Sequence, residues 1–264
     1  MSKLEIIALK DVPPVPAGIG GQGYAASNDA SGVRMSRLLK PEGYSLWVCV
    51  SEFADGGELH WRGAGGEQAV YIASGALEID GRVCPSDGAL IVESGVEATA
   101  KARGATEIVH FGPVDPSLPC VGHYGPPKPQ GHGVHVVGPG GWFESGSREG
   151  TFARWYADST CPTCRVCLLH VERSTPRLGP VHHHSLDEIL YVTRGAVELG
   201  ARRLEPGTAI FIAANARYRI KSGPDGYRFL NFRRDVSEQV YAEEDPPLLE
   251  SAIARGGREV GDLL

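Results

Sequence analysis

Short runs of apolar residues, rich in β-branched and aromatic side chains, recur along the whole chain, and this pattern predicts an all-β protein. Turn signals such as Asp55-Gly56-Gly57 and Glu205-Pro206-Gly207 bound the runs, in keeping with 35 glycines and 19 prolines. One short helical stretch is predicted in residues 246–264, broken at Gly256-Gly257. The predicted strands cover residues 44–53, 69–79, 89–92, 107–111, 165–172, 189–199, 209–212 and 227–232.

An internal repeat divides the chain. Residues 68–98 and 188–218 align without a gap, and both read as a strand, a turn and a second short apolar strand. Residues 112–141, crowded with Gly and Pro, lie between the copies and predict a linker or crossover. We therefore predict two domains, residues 1–125 and 126–264, each forming one small β-barrel. The identities between the copies are Tyr71/Tyr191, Gly75/Gly195, Ala76/Ala196, Glu78/Glu198, Arg82/Arg202 and Ala89/Ala209.

The strongest chemical signal is the run of three histidines at 182–184. Side chains two apart on a strand share a face, so His182 and His184 point the same way and His183 points the other way. Glu188 follows after a brief turn and can face the same interior. Two imidazoles and one carboxylate suit a first-row divalent ion, and non-haem Fe(II) oxygenases use this donor set.

The spacing of these residues resembles the cupin superfamily, whose first motif is G-x5-H-x-H-x(3,4)-E-x6-G. His182, His184, Glu188 and Gly195 match it, with Gly179 in place of a glycine at position 176. Residues 206–218 match the spacing of the second motif, G-x5-P-x-G-x2-H-x3-N. The resemblance implies two cupin-type barrels in one chain (double-stranded β-helix, or jelly-roll) with few short helices. It also implies a metal held by the two histidines and the glutamate.

Tyr218 departs from the family, because it stands where the last metal-binding histidine falls. Three alternatives stay open. Tyr218 can ligate the metal as a phenolate, or it can hydrogen-bond a metal-bound water and carry protons in catalysis. The third alternative, an ordinary tyrosine lining the barrel, is favoured over direct ligation and leaves three protein ligands.

The first copy of the repeat departs further from the metal motif. His60 matches the first histidine, but Arg62 replaces the second, Gln68 replaces the glutamate and Ala98 replaces the final histidine. A cationic side chain beside a lone imidazole repels a metal ion. The resemblance therefore implies a degenerate, metal-free first domain that shapes or covers the second.

Three cysteines in the second half raise a zinc alternative. Cys161, Cys164, Cys167 and His170 offer suitable ligands, but Cys167 and His170 lie three apart on a predicted strand and face opposite sides. Cys161 and Cys164 alone can form a half-site or a redox pair. Without a secretory signal, the six cysteines favour reduced thiols or ligands over a disulfide framework. His132 and His135, in the Gly-rich stretch, are predicted to be loop histidines.

Composition limits the partners. A formal net charge of −6, with basic residues in pairs at most, argues against binding nucleic acid or an anionic membrane. No apolar signal segment or membrane-spanning run occurs, so cytoplasm is the expected location. The expected partner is a small-molecule substrate, and the candidate assembly is a homodimer.

These observations predict a metal-dependent enzyme acting on a small organic molecule. The donor set favours Fe(II) and an oxygenase or dioxygenase, with Zn, Mn, Ni or Cu as other candidate ions. One alternative is a non-oxidative metalloenzyme (a lyase, isomerase or aminohydrolase using Zn, Mn or Ni). The other is a binding or storage protein without turnover, which a purely apolar barrel interior would support and convergent polar groups would contradict.

Overall fold

The computed structural model describes residues 3–15, 28–118, 133–144, 150–158 and 160–242, with the backbone of 248–249 and 258–260. In this part of the chain nearly every regular element is a strand, and the sole helical element is one 3-10 turn at Leu9–Asp11. No helix among these residues is long and apolar enough to cross a membrane. The prediction of an all-β fold is confirmed.

The first large sheet has nine strands, and eight of them follow the order β10-β7-β4-β9-β3-β8-β5-β6, with β2 paired to β3. The long strand β3 pairs with β9 over its first half and with β8 over its second half, so the sheet curls upon itself. Its strands are β2 (Asn28–Leu39), β3 (Leu46–Arg62), β4 (Gln68–Ser74), β5 (Ala76–Ile79), β6 (Arg82–Pro85), β7 (Ala89–Val92), β8 (Glu97–Ala102), β9 (Thr106–Pro113) and β10 (Val134–Val137).

The second large sheet also has nine strands, in the order β1-β17-β15-β18-β13-β12-β11-β21, with β16 paired to β15. A small third sheet, β14-β19-β20, lies beside it and carries the histidine run. The strands of the second sheet are β1 (Leu4–Ala8), β11 (Trp142–Glu144), β12 (Thr151–Ala157), β13 (Cys167–Arg173), β15 (Glu188–Leu199), β16 (Arg202–Leu204), β17 (Thr208–Ile212), β18 (Lys221–Arg233) and β21 (Arg258–Val260). Those of the small sheet are β14 (His182–His184), β19 (Glu238–Tyr241) and β20 (Leu248–Leu249).

The internal repeat reappears as an identical strand register. Gln68 pairs with Val92 across β4 and β7, and Glu188 pairs with Ile212 across β15 and β17. The repeated glycine also keeps its role, because Gly75 and Gly195 both have positive φ, at 77° and 67°. A Cβ on Gly195 would lie 2.3 Å from the carbonyl oxygen of Gly226, so only glycine fits this turn.

The two halves exchange edge strands. β1, at the start of the chain, pairs with β17 of the second sheet, while β10, from within the Gly-rich stretch, pairs with β7 of the first sheet. The predicted boundary at 125/126 lies outside the described residues, and the division into two domains stays a prediction. The stretch 112–141, predicted as a linker or crossover, contains β10.

The predicted C-terminal helix is also not found where the tail is described. Residues 248–249 and 258–260 are strands β20 and β21, and the rest of the predicted stretch lies outside the described residues. β21 pairs with β11 at the edge of the second sheet. Pairing with a neighbouring strand accounts for the extended backbone of these few residues.

The largest core cluster is the seam where the two large sheets pack together. Residues from both halves contribute to it. Of the two further clusters, one fills the interior of the first half and the other fills the interior of the second half. At the seam the rings of Phe111 and Phe232 stack with centroids 5.2 Å apart. These phenylalanines are equivalent in the repeat, since Phe111 pairs with Ala69 and Phe232 with Ile189. Burial on both faces explains why residues 69–72 of β4 and 209–212 of β17 are apolar without alternation.

Candidate metal centre

The histidine run forms β14, and its burial alternates as the sequence predicted. His182 and His184 are buried, and His183 between them is half-buried. β14 is fixed on two sides, because it pairs with β19 and His182 exchanges two backbone hydrogen bonds with Tyr218. Nδ1 of His182 lies 3.1 Å from the carbonyl oxygen of Pro180, and Nδ1 of His184 lies 3.1 Å from the hydroxyl of Ser237. Contacts of this kind at Nδ1 orient an imidazole so that its Nε2 can bind a metal ion.

Glu188 is the first residue of β15 and is 1% exposed. Its Oε1 accepts a 2.6 Å hydrogen bond from the hydroxyl of Tyr218, and its Oε2 accepts a 2.8 Å bond from the side-chain amide of Asn231. Oε2 also lies 3.7 Å from Nε2 of His184. The structure therefore brings the four residues predicted for the site, His182, His184, Glu188 and Tyr218, into one connected cluster.

The turn between β14 and β15 is anchored to the other half of the molecule. Asp187 accepts two hydrogen bonds at Oδ2 from Ser45, one from its backbone N–H at 3.1 Å and one from its hydroxyl at 2.6 Å. Oδ1 of Asp187 accepts the backbone N–H of Ala214 at 2.8 Å. The spacing between the histidines and Glu188 is therefore held partly by residues of the first half.

Arg233, at the end of β18, is the principal residue of the site that sequence reasoning missed. Its side chain is 0% exposed, and its Nη1 lies 3.3 Å from Oε2 of Glu188 and 3.1 Å from Nδ1 of His184. Asn231 was missed as well. The signal was present in the run FLNFR, where polar residues alternate with apolar ones and so share the face that looks into the barrel.

The donors suit a divalent transition-metal ion in kind, since two imidazoles and a carboxylate are available. The ligand atoms of these three residues are grouped less closely than those of a closed metal site. Among the described residues, the one trio of His, Cys, Asp or Glu side chains with ligand atoms all within 4.8 Å of one another is a different one, His135, Cys161 and Cys164. The guanidinium of Arg233 contacts both His184 and Glu188. A cation at this position opposes a second cation.

A cavity of about 70 Å³ opens beside the histidines. Its wall mixes apolar side chains with polar groups that converge on the space. Arg173 is 5% exposed there; one nitrogen donates to the hydroxyl of Thr151, and Nη1 has no hydrogen-bond partner among the described residues. Oδ1 of Asn231 is likewise without a partner in this part of the chain. The lining includes Leu169, Val171, Ile220, Phe229, Thr151, Arg173, Asn231, Gln239, His182, His184 and Tyr218.

The equivalent place in the first half is packed with side chains. Gln68 accepts hydrogen bonds from Trp61 at 3.0 Å and is 2.7 Å from Nε2 of His110. Burial lowers the pKa of His110 to about 3, so its ring is neutral at ordinary pH. Gly112 occupies the position of Arg233 in the register, and a Cβ there would lie 2.5 Å from the ring of Trp47.

The remaining predicted positions of the first half do not form a cluster. His60 lies 2.9 Å from the hydroxyl of Thr99, and Arg62 is paired with Asp29 near the surface. Ala98 pairs with Trp61 across β3 and β8. That this half binds no metal stays a prediction, and these contacts give it a physical basis.

Cys167 and His170 face opposite sides of β13, as the strand periodicity predicted. Cys167 lies beside Arg233, with Sγ 3.6 Å from Nη2, whereas His170 faces the seam and contacts Thr193 at 2.9 Å. Cys161 and Cys164 form a disulfide, which corresponds to the redox-pair alternative and corrects the expectation of reduced thiols for this pair. Cys49, Cys84 and Cys167 are in no disulfide, as expected, and Cys120 lies outside the described residues. His135 lies on β10 and is not a loop residue, so that prediction is wrong; His132 lies outside the described residues.

Fold and site together define an all-β protein with two large sheets and a histidine-lined cavity in its second half. No protein-family model and no curated protein matches the chain. Solved structures do match. The chain is similar to oxalate decarboxylase from Bacillus subtilis, in a structure concerned with its Mn(II) centres (TM-score 0.62, 12% identity, covering 93% of this chain and 79% of that one).

Two further solved structures show the same likeness. One is the Bacillus subtilis oxalate decarboxylase at pH 4.6, with a TM-score of 0.62 and 14% identity over 87% of this chain and 76% of that chain. The other is protein Ylba from E. coli, described under DUF861, with a TM-score of 0.58 and 11% identity over 93% of both chains. At these identities the likeness shows the fold alone, and this fold is the one that the resemblance to cupins implied.

Proposed function

We propose that the chain is a metal-dependent enzyme that acts on a small organic acid. One divalent transition-metal ion would be held by His182, His184 and Glu188. The observation that carries the proposal is the cavity beside these residues, into which polar groups converge. A purely apolar interior would have favoured a binding or storage protein, so the polar wall supports catalysis over that alternative.

The size and charge of the cavity support the class of substrate. An engineered protein cavity of about 150 Å³ takes up benzene, so a space of about 70 Å³ suits a molecule of only a few heavy atoms. Arg173 lines this space with an unpaired Nη1 among the described residues. A guanidinium with a spare donor pairs well with a carboxylate, and burial strengthens the pairing.

Tyr218 is the residue we propose for proton transfer. Tyr218 lines the cavity, and its hydroxyl donates to Glu188 at 2.6 Å. A group within hydrogen-bond reach of both substrate and carboxylate can give or accept a proton during the reaction. The bound ion would polarise a substrate oxygen as a Lewis acid or, if it were Fe(II), activate O2.

Two reaction types remain, and each has its own support. The donor set favours Fe(II) and an oxygenase, as predicted from the sequence. The similar solved structures include a decarboxylase with Mn(II) centres, which supports a non-oxidative reaction with Mn(II). We propose the non-oxidative reaction first, because the support comes from proteins of the same fold, and keep the oxygenase as the second candidate.

The test is to load the purified protein with Mn(II), Fe(II) or Zn(II) and offer small mono- and dicarboxylic acids, beginning with oxalate. We expect acid consumption with one metal, and a strongly raised KM in Arg173→Met, because the carboxylate loses its partner. Oxygen uptake proportional to product would favour the oxygenase. Arg177→Met, on an exposed position outside the cavity, is the matched control. Equal KM values in Arg173→Met and wild type would contradict the proposed substrate class.

A further inference from the structure

A second cluster of metal-ligating side chains lies at the seam, away from the histidine cavity. The loop before β13 brings Cys161 and Cys164 beside His135 of β10. The ligand atoms of the three residues lie within 4.8 Å of one another, and Sγ of Cys161 is 4.0 Å from Nε2 of His135. The two cysteines are joined by a disulfide, with Cα atoms 5.6 Å apart.

We propose that His135, Cys161 and Cys164 form a second metal site, which takes a thiophilic divalent ion of the zinc class once the disulfide is reduced. Two thiolates and one imidazole are donors that zinc prefers, with the fourth position left for water. The backbone N–H of Cys164 donates to Sγ of Cys161 at 3.1 Å. A hydrogen bond of this kind stabilises a thiolate and holds the Cys-x-x-Cys turn in shape.

Glu93 contacts both parts of the site, His135 on β10 and the loop that carries the two cysteines. It is 3% exposed, its Oε1 lies 2.7 Å from Nε2 of His135, and its Oε2 accepts the backbone N–H of Gly133 at 3.0 Å. The hydroxyl of Thr163, between the two cysteines, also donates to Oε1. Because Glu93 bonds Nε2 of His135, the ring would bind the ion through Nδ1, and the carboxylate behind it would orient the ring and strengthen it as a ligand.

The placement of Glu93 supports the site independently of the cysteines. Its carboxylate is bonded to the candidate ligand His135, to the backbone of Gly133 and to Thr163 in the loop that carries both cysteines.

The two sulfurs can be reached from solvent, and a dithiol can reduce them before an ion binds. An open cavity of about 330 Å³ is lined by the three candidate ligands together with Trp155, Tyr156 and Asp158, so an ion and a reductant can reach the sulfurs. A dithiol reductant gives two electrons and two protons to the disulfide and becomes a disulfide itself. The ion then replaces the two thiol protons, which pass to solvent. In the oxidised chain neither sulfur is a thiolate, so that form does not bind the ion.

The experiment uses the full chain, reduced and then freed of reductant, and titrates it with Co(II) as a spectroscopic substitute for zinc. We expect one equivalent of sulfur-to-cobalt charge-transfer absorption, which Zn(II) abolishes by displacement. The histidine cavity cannot give this signal from His182, His184 and Glu188, which offer no sulfur. The same chain with its disulfide intact should show no such absorption.

Variants assign the ligands. Cys161→Ser, Cys164→Ser and His135→Ala should lose the signal or weaken Co(II) binding at least about 100-fold, and Glu93→Gln should weaken it about 10–100-fold. Cys84→Ser and His60→Ala, a buried thiol and a half-buried imidazole elsewhere, are the matched controls and should bind as wild type.

Three results would overturn the proposal. One is a reduced wild-type chain with two newly titratable thiols and no thiolate-cobalt absorption. Another is equal binding by the oxidised and reduced forms, a comparison that needs no variant and so does not depend on whether the substitutions fold. The third is full binding by Cys161→Ser. None of these results bears on the acid-consuming activity proposed for the histidine cavity.

Discussion

Nη1 of Arg233 lies 3.3 Å from Oε2 of Glu188, with both side chains 0% exposed. In the first half of the repeat the equivalent positions hold Gly112 and Gln68, so the buried anion and the buried cation are present together in one half and absent together from the other. A buried carboxylate needs a compensating positive charge. Arg233 supplies it in the structure, and a divalent ion bound at the histidines would supply it too.

Arg233→Met should therefore tighten binding of Mn(II) to the second half. Two unit charges about 4 Å apart repel by about 4 kcal/mol at an effective dielectric constant of 20. If the variant relieves a third of such a repulsion between residue 233 and the bound ion, the Kd for Mn(II) falls about tenfold. The same variant without metal should unfold more easily, by about 3–5 kcal/mol, because Glu188 loses its partner. Calorimetric titration with Mn(II) and denaturant unfolding measure the two effects.

The control for this variant is the next residue along the chain. Arg234 donates to the carbonyl oxygens of Asp115 and Leu118, outside the site, so Arg234→Met should leave the Mn(II) affinity unchanged. Unchanged or weaker Mn(II) binding in Arg233→Met would show that Arg233 and the ion do not compete for Glu188.

Replacing the histidines one at a time tests the metal centre itself. His182→Ala and His184→Ala should each lose bound metal while the chain stays folded, because apolar burial in the strands supplies most of its stability. His183, half-buried on the opposite face of β14, is the matched control, and His183→Ala should keep its metal. Elemental analysis of protein purified without chelator gives the readout. Equal metal content in all three variants would remove the basis for the site.

Tyr218→Phe separates the three alternatives for this tyrosine. Since Tyr218 lines the cavity and its hydroxyl donates to Glu188, we expect retained metal and a kcat lowered about 100-fold or more, as for loss of a proton-transfer group. Loss of metal from Tyr218→Phe would instead assign ligation. Tyr227→Phe, on the wall of the same cavity, controls for the general effect of removing a hydroxyl. Unchanged metal and kcat in Tyr218→Phe would leave only a packing role.

Sequence patterns predicted what depends on neighbouring residues in the chain. Alternation in the run 182–184 predicted which histidines are buried, and the repeat predicted the shared register of Gln68 and Glu188. The patterns did not predict Arg233 in the site, because it comes from a strand 45 positions beyond Glu188. Nor did they place His135 beside Cys161, since that contact depends on β10 crossing into the first sheet.

Two of the strands that were missed, β1 and β10, share a physical reason. β1 and β10 are short, and β10 lies among glycines and prolines, so neither has a strong local signal. Each is stabilised as a strand by pairing with an edge strand of the other half, β17 or β7. Pairing of this kind is a long-range effect that propensity over a few residues cannot register.

Glu67 gives the seam a pH-dependent stability. Both of its carboxylate oxygens accept the backbone N–H of Arg165 from the other half, at 3.0 Å. Burial raises the pKa of Glu67 to about 7, with Glu93 and Asp235 adding to the rise and Arg165 opposing it. The folded chain thus holds the proton more tightly than the unfolded chain, in which the pKa is near 4.5. Stability from Glu67 is complete below pH 4.5 and is lost as the pH rises to about 7.

Glu67→Gln mimics the protonated form and should remove this loss. The difference in unfolding free energy between Glu67→Gln and wild type should increase in favour of the variant between pH 4.5 and 7, by about 3 kcal/mol at most. Urea unfolding of both proteins at matched pH values measures it, and subtraction cancels the other titrating groups. Glu42→Gln, at an exposed position, is the control and should track wild type. A constant difference for Glu67→Gln across this range would show that Glu67 does not change its protonation between the folded and unfolded chain.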